Sequence, residues 1–374
     1  MEKSSTVKLI KPNISLPEIE AVTRVLQSGM LVCGPMVQRF EELLADYLGM
    51  AHAVCVSSGT AALHLALIAA DIKPEDEVLV PAFTFPATAN VVEVMGAVPI
   101  FIDCRPDGVN MDESKLVEKI SARTKAIMPV HAFGIPVEMD TVLEIAQKYN
   151  LIVIEDAACA LGSKSRNINC GTFGDLAAFS FHPRKLLTTG EGGAVVTNER
   201  ISADTIKSLR NHGAENDDYS FTGLNYRMTD FQAAMGISQL ERYQPYIDKR
   251  IELAESYRSL LKEIQWLEPI EAMPWTQWNV QTFVALVADG IDRNSLIKHM
   301  AARGVEATIG TYCVPLTRYF RLRYGYEREE FPHAYDFYKR CISLPLFNDM
   351  STDDMHRVFD AMKSFDVQTK RVSV

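Results

Sequence analysis

Lys185 closes the run FSFHPRK at 179–185, and LLTTGEGG follows it at 186–193. A lysine held among charged neighbours and partly withdrawn from water can lose its proton and attack a carbonyl. A lone lysine is far more often a solvated surface charge. The glycines alongside argue for close backbone approach instead. Asp156 ends the apolar run LIVIED at 151–156 and precedes Ala157-Ala158. A carboxylate at the carboxyl end of a buried strand stands where open α/β sheets bind ligands. There it can pair with a protonated ring nitrogen, or simply cap the next helix. The third signal is SSGTAAL at 57–63, which follows a strand-like run and opens a helix-like one. A helix N-terminus offers unpaired N–H groups and a positive dipole end to a phosphate. Gly59 permits close approach, and Ser58 and Thr60 bring hydroxyls; ordinary serine capping explains the same letters. The run GLNYRM at 223–228 adds Asn225 and Arg227, either of which reads equally as a loop residue. Taken together, a strand-end Asp, a strand-end Lys and a phosphate-type helix start describe a pyridoxal phosphate (PLP) site: ring nitrogen, aldehyde and phosphate.

These residues need an alternating scaffold. The runs 53–56, 77–80, 98–102, 125–130, 151–154, 177–181 and 194–197 read as strands. Segments near 60–70, 84–95, 113–120 and 138–149 read as helices between them. Alternation of this kind implies βαβ crossovers and a mainly parallel sheet. Two further helices, 15–28 and 35–48, lead in; Ser15 can cap the first and Gly29 ends it. Residues 230–264 read as helical with a break near Pro245. A smaller α+β segment follows, with a strand near 282–287 and helices near 294–302, 333–341 and 352–364. The expected division is a large domain over 1–245 and a small one over 246–374, with a frayed tail from 368.

The 374 residues are 47% hydrophobic and 23% charged, ordinary for a folded protein. The formal charge of −10 and the absence of a Lys/Arg-rich run argue against nucleic acid as a partner. No apolar run approaches the roughly 20 residues that span a bilayer, so no membrane partner is expected. The first twenty residues contain no signal-peptide core. Seven scattered cysteines with no C-x-x-C pair support neither a disulfide framework nor a zinc site, and a reducing cytoplasm suits them.

The sequence resembles the DegT/DnrJ/EryC1/StrS family of sugar-nucleotide aminotransferases, PLP enzymes of fold type I. SSGTAAL at 57–63, PAFTFPATAN at 81–90, HAFG at 131–134 and EDAACALG at 155–162 carry the likeness. So do FSFHPRKLLTTGEGGAVVTN at 179–198, NHG at 211–213, GLNYRMTDFQAA at 223–234 and SLPLF at 343–347. The likeness runs from Pro12 to about Asp353. It implies a seven-stranded, mainly parallel sheet sandwiched by helices, plus a smaller α+β domain.

The resemblance also implies roles. Lys185 would bind the PLP aldehyde and Asp156 the ring nitrogen, with Phe85 stacked on the ring. Ser58, Gly59, Thr60, Ala61 and Ser180 would hold the phosphate. Asn225 would reach the phosphate of the partner subunit in a homodimer. His182 belongs to the motif without an assigned role. Tyr312, Pro315 and Leu316 match a segment near the sugar nucleotide, and Arg227, Arg184, Arg318 and His333 could meet its anionic part. No metal is implied.

Two positions depart from the family pattern. Cys159 stands where Gln usually contacts the phenolic oxygen of PLP, and Thr317 where His is frequent. A thiol is the weaker donor. The implied activity is amino transfer from a donor, L-glutamate, through pyridoxamine phosphate to a keto-sugar nucleotide. The stretch 331–347 is more similar to 4-keto-hexose enzymes than to 3-keto ones. Three other readings stand beside it. A PLP-dependent dehydratase would carry His in place of Lys185. A non-catalytic binder would have lost Lys185 or Asp156. A Rossmann dehydrogenase would need G-x-G-x-x-G after its first strand.

Overall fold

A computed structural model describes residues 6–367. Seven strands build the principal sheet: β1 (His52–Val56), β2 (Glu77–Pro81), β3 (Val98–Ile102), β4 (Thr124–Ile127), β5 (Ile152–Asp156), β6 (Leu176–Ser180) and β7 (Gly193–Thr197). Their order is β1-β7-β6-β5-β4-β2-β3, and β7 alone runs antiparallel to its neighbours. Both faces are covered, so β2, β6 and β7 are buried along nearly their whole length, as parallel sheets require.

Helices α1 (Leu16–Ser28) and α2 (Pro35–Leu48) precede the sheet, and α3 (Gly59–Ala69) follows β1. Ser15 and Glu18 form a capping box on α1, and Gly29 ends it at φ 74°. Helix α2 packs on the edge strand β1. Glu41 of α2 accepts a hydrogen bond from the Cys55 amide (2.8 Å), and Arg210 donates to both Glu41 and the Cys55 carbonyl. A buried ion pair thus satisfies an edge that would otherwise be open to pairing.

Local chemistry moved several boundaries. The helix expected over 84–95 is α4 (Ala87–Val94), and Phe83–Thr84 instead pair as a short antiparallel ladder with Tyr312–Cys313. Phe85 precedes Pro86, and the proline ring pushes its predecessor out of the helical region. The strand expected over 125–130 ends at Ile127. The expected helix over 113–120 is a 3₁₀ turn and a single α turn, 113–119. After α5 (Met139–Tyr149) and α6 (Arg200–Leu209), the long helical run divides into α7 (Asp230–Leu240) and α8 (Tyr243–Leu261). The break lies at residues 241–242, and Pro245 occupies the first turn of α8, where its missing N–H costs nothing.

Beyond α8 a four-stranded antiparallel sheet forms from β8 (Leu267–Pro269), β9 (Phe283–Val287), β10 (Thr308–Ile309) and β11 (Cys341–Leu344), ordered β8-β9-β11-β10. Helices α9 (Arg293–Ala302), α10 (Pro332–Arg340) and α11 (Thr352–Lys363) accompany it. Cys341, expected to end a helix, begins β11. No helix among the described residues is long and apolar enough to cross a membrane. The expected frayed tail from 368 lies outside the described residues.

Candidate active site

β1, β5 and β6 point their carboxyl ends to one edge of the sheet, and β7 starts there. Val56, Gly193 and Ser180 lie side by side in register. Helix α3 begins directly above them. Ser58 caps it, its hydroxyl accepting from the Ala61 amide at 3.0 Å. Two glycines make the close approach possible. A Cβ on Gly59 would stand 2.7 Å from Ser180 Cβ, and one on Gly193 only 2.5 Å from the Ser58 carbonyl. Ser180 Oγ therefore lies beside the first exposed amides of α3, with Thr60 exposed at the rim. The strand-edge loop also brings Tyr226, whose carbonyl accepts the Ser57 amide (2.8 Å).

Asp156, the last residue of β5, is 5% exposed. Thr88 Oγ1 on α4 donates to its Oδ2 at 2.8 Å, and the Ala158 amide to its Oδ1 at 3.2 Å. Thr84 Oγ1 in turn lies 3.2 Å from Thr88 Oγ1. Burial pushes the Asp156 carboxyl above its ordinary value, while Thr88, the Ala158 amide and the charge of Lys185 pull it back. The neighbouring Glu155 is wholly buried. It accepts the amides of Gly171, Phe173 and Gly174 at 2.7–2.8 Å and lies 2.9 Å from His131 Nε2. The Val137 amide donates to His131 Nδ1 (3.0 Å), so the ring carries its proton on Nε2 and donates to Glu155. This pair fixes the end of β5 from beneath.

Lys185 sits half-buried in the turn after β6, with Nζ 2.9 Å from Cys159 Sγ. Its amide donates to the His182 carbonyl (2.8 Å), and His182 Nδ1 accepts the Arg184 amide (3.1 Å). Burial holds the His182 imidazole below its ordinary value; Lys185 and Arg184 push the same way, against Glu191. Phe85 is 65% exposed and meets Tyr312 edge-on, ring centroids 6.4 Å apart. Beyond Tyr312, Pro315 is buried and Leu316 half-buried in a single 3₁₀ turn.

Lys185, Asp156, Cys159, Phe85, His182, Ser180 and the start of α3 thus come together at one sheet edge, with Tyr312 facing Phe85. Arg227 bridges to Val56 and donates to Asn211 Oδ1 at 2.7 Å, on the rim of the same edge. Asn225 is exposed and forms no side-chain hydrogen bond among the described residues. Sequence reasoning missed Thr88, although it lies inside the quoted PAFTFPATAN run, and it missed the Glu155–His131 pair. It also missed Gln239 and Gln281, which clamp the lysine turn from distant elements. Among the described residues no group of three or more His, Cys, Asp or Glu side chains could hold a metal ion.

Similarity to known proteins supplies the chemistry. Residues 12–363 match the DegT/DnrJ/EryC1/StrS aminotransferase family. GDP-perosamine synthase of Caulobacter vibrioides is 41% identical over 283 residues, spanning 73% of this chain and 76% of that protein. DesV of S. venezuelae superposes with a TM-score of 0.91 at 31% identity, over 99% of this chain and 100% of that one. Spr1654 of Streptococcus pneumoniae, solved in both PLP and PMP forms, gives TM-scores of 0.91 and 0.92 at 27% identity over 96% of this chain and 98% of that one. With the family matched across nearly every described element and the same architecture seen carrying its cofactor, the chain belongs to the DegT/DnrJ/EryC1/StrS aminotransferase family and is a PLP-dependent aminotransferase.

Proposed function

We propose that the enzyme moves an amino group from L-glutamate to a nucleoside-diphosphate-linked 4-keto-6-deoxyhexose, yielding an amino-sugar nucleotide. One observation carries this reading: a half-buried lysine amine, a buried carboxylate and a glycine-cleared helix start share a single sheet edge. That set suits a phosphorylated aromatic aldehyde. The α3 amides with Ser58, Thr60 and Ser180 offer donors to phosphate oxygens. Neither Asp156 oxygen is hydrogen-bonded to a cation, so a protonated ring nitrogen would complete it. Phe85 offers an exposed ring for stacking.

Bound PLP supplies an aldehyde that takes up amino groups and a ring that delocalises the electron pair left when a carbon loses its proton. The chain does the rest. Lys185 Nζ would hold the aldehyde and would serve as general base for the proton on the donor's α-carbon. Asp156, ionised, would hold the ring nitrogen and favour its protonated form. Tyr312, Pro315 and Leu316 line the side where the sugar enters, and Arg227 meets its diphosphate. The similarity of 331–347 to 4-keto-hexose enzymes and of 73% of the chain to a GDP-perosamine synthase supports the 4-keto sugar.

Asn225 acts on the phosphate of a second subunit in a homodimer. Its exposed, uncommitted side chain supports this. So does the apolar surface at Leu16, Ile19, Leu26, Met30 and Val32, which are 54–64% exposed.

The test is the visible absorbance of the protein loaded with PLP. L-glutamate should bleach the band, and a 4-keto-6-deoxyhexose nucleotide should restore it. Lys185→Ala should show no such band. A band that survives Lys185→Ala unchanged overturns the reading of that lysine, and a bleached band restored only by 3-keto sugars overturns the substrate.

A further inference from the structure

The lysine turn is held by residues almost a hundred positions downstream. Gln281 reaches it with both ends of its amide: Oε1 accepts the Leu186 N–H at 2.9 Å, and Nε2 donates to the Arg184 carbonyl at 2.6 Å. These groups flank Lys185 on either side, so the amide closes on the backbone that carries the reactive amine. Two residues earlier, Asn279 does the same for the facing loop. Its Nδ2 donates to the carbonyls of Cys159 (3.0 Å) and Leu161 (2.9 Å), and its Oδ1 accepts the Gln281 N–H (2.9 Å). One tripeptide therefore grips both sides of the 2.9 Å contact between Lys185 Nζ and Cys159 Sγ.

The tripeptide is itself unusual. Val280 lies between the two amides at φ 49°, a left-handed conformation that a β-branched residue adopts only when its surroundings compel it. The compelling group is Arg250 of α8. It is 2% exposed, and Nη1 donates to the carbonyls of Val280 (3.1 Å) and Gln281 (3.0 Å), while Nε donates to Asn348 Oδ1 (3.2 Å). None of its hydrogen bonds among the described residues reaches a carboxylate. A wholly buried guanidinium is thus spent on two backbone carbonyls and an amide. Space is tight around Asn279: a Cβ on Gly134 would meet its Oδ1 at 2.1 Å and the Cys159 carbonyl at 2.9 Å. One residue after the tripeptide begins β9, an inner strand of the second sheet, paired with β8 and β11.

We infer that Asn279-Val280-Gln281 is a positioning elbow that sets where Lys185 points, with Arg250 as its lock, and that it couples the second sheet to the reacting amine. The inference rests on the proposed role of Lys185 and adds residues that do not touch the reacting atoms. A 1 Å misplacement of a reacting group can cost about 100-fold in rate, so loosening the clamp should slow the proton transfer and leave substrate binding nearly intact.

The test uses full-length Gln281→Met, which keeps length and apolar bulk but removes both clamp hydrogen bonds, beside Gln281→Glu, which keeps the acceptor for Leu186. Three readings are taken: amide hydrogen exchange at 184–188 in the cofactor-free protein, the rate at which that protein develops its visible band on adding PLP, and the single-turnover bleaching by L-glutamate. Gln281→Met should exchange faster at 184–188 with the rest of the sheet unchanged. It should bleach about 10- to 100-fold more slowly at an unaltered KM for the donor. Gln281→Glu sets an acceptor oxygen against the Arg184 carbonyl and should exchange no more slowly, and bleach no faster, than Gln281→Met. Unchanged exchange, or unchanged bleaching with a folded variant, overturns the elbow. If Gln281→Met does not fold, Gln281→Asn takes its place. It shortens the arm by one methylene, so the amide no longer spans the Leu186 N–H and the Arg184 carbonyl, and it should likewise speed exchange at 184–188; parental exchange overturns the inference. The Lys185→Ala spectrum, run in parallel, separates failure of the elbow from failure of the lysine assignment.

Discussion

Asp156 is set to ionise only when something cationic meets it. In the cofactor-free protein, burial raises its carboxyl above the ordinary value. The folded state then holds the proton more tightly than the unfolded chain. Stability from this group is greatest below the ordinary carboxylate range and is lost as pH climbs through the raised value. Asp156→Asn removes that penalty and keeps both neighbours satisfied. Its carbonyl can accept from Ala158, and its amide can donate to Thr88, whose own hydroxyl turns to Thr84. We expect the cofactor-free Asn variant to melt higher than the parent at neutral pH, with the gap closing in acid, by calorimetry across pH. The same variant should transfer amino groups about 10²–10³-fold more slowly, because a fixed charge aimed at the ring is gone. A gap of the opposite sign would mean that the carboxylate is already compensated without the cofactor. Glu155, next in line, belongs to a different economy: three amides and His131 converge on its two oxygens. Glu155→Gln turns an NH₂ toward at least one of those N–H groups. It should lower stability in urea by about 3 kcal/mol.

Helix α3 can touch the sheet edge only because Gly59 and Gly193 lack side chains. Gly59→Ala places a methyl 2.7 Å from Ser180 Cβ, so either the helix start or the strand end must retreat. We expect PLP affinity to fall about tenfold or more and stability by about 1–3 kcal/mol, read by titrating the visible band and by denaturation. A variant with parental affinity would place the phosphate elsewhere. Elements of this alternating half were legible in the letters because buried strands are continuous apolar runs and helix ends carry their own punctuation, as at Ser15 and Gly29. The signal failed where tertiary pairing outvoted local pattern. Thr84 lies in a run that reads as helical, yet Phe83–Thr84 pair with Tyr312–Cys313, residues no local window contains. The four-stranded sheet was only partly visible for the same reason: β10 is two residues long, and β11 begins where a helix seemed to end. At the site, Asp156 and Lys185 announced themselves through strand-end position and glycine context. Thr88, Gln239 and Gln281 carry no comparable mark, because an amide or hydroxyl that braces a backbone from afar looks like any other polar residue.

For the whole molecule, the proposed shared-site homodimer makes a quantitative demand. Lys185→Ala and Asn225→Ala subunits should each be nearly inactive alone. Mixed in equal amounts and allowed to reassort, half the dimers are hybrid, and each hybrid has one site with both residues intact. Mixing should therefore restore about a quarter of parental activity, as isologous pairing with one intact site per hybrid requires. No recovery, in a sample that sedimentation shows to be dimeric and exchanged, would confine each site to one chain.

The placement of β1 at the end of the sheet also governs how the protein is made. His52 pairs with Thr197, so the first strand of the sheet can find its neighbour only after the last strand has left the ribosome. Pairings this distant in sequence form slowly. Until then α3 can pack on β6 and α4 but lacks β1 and β7, and its first turn has no Gly193 to close against. During synthesis the lysine and aspartate segments can collapse into β5 and β6 while the phosphate cup is still open. A newborn chain should therefore gain its compact core before it gains the capacity to keep its cofactor. In refolding, PLP retention should rise in a later phase than burial of the apolar interior.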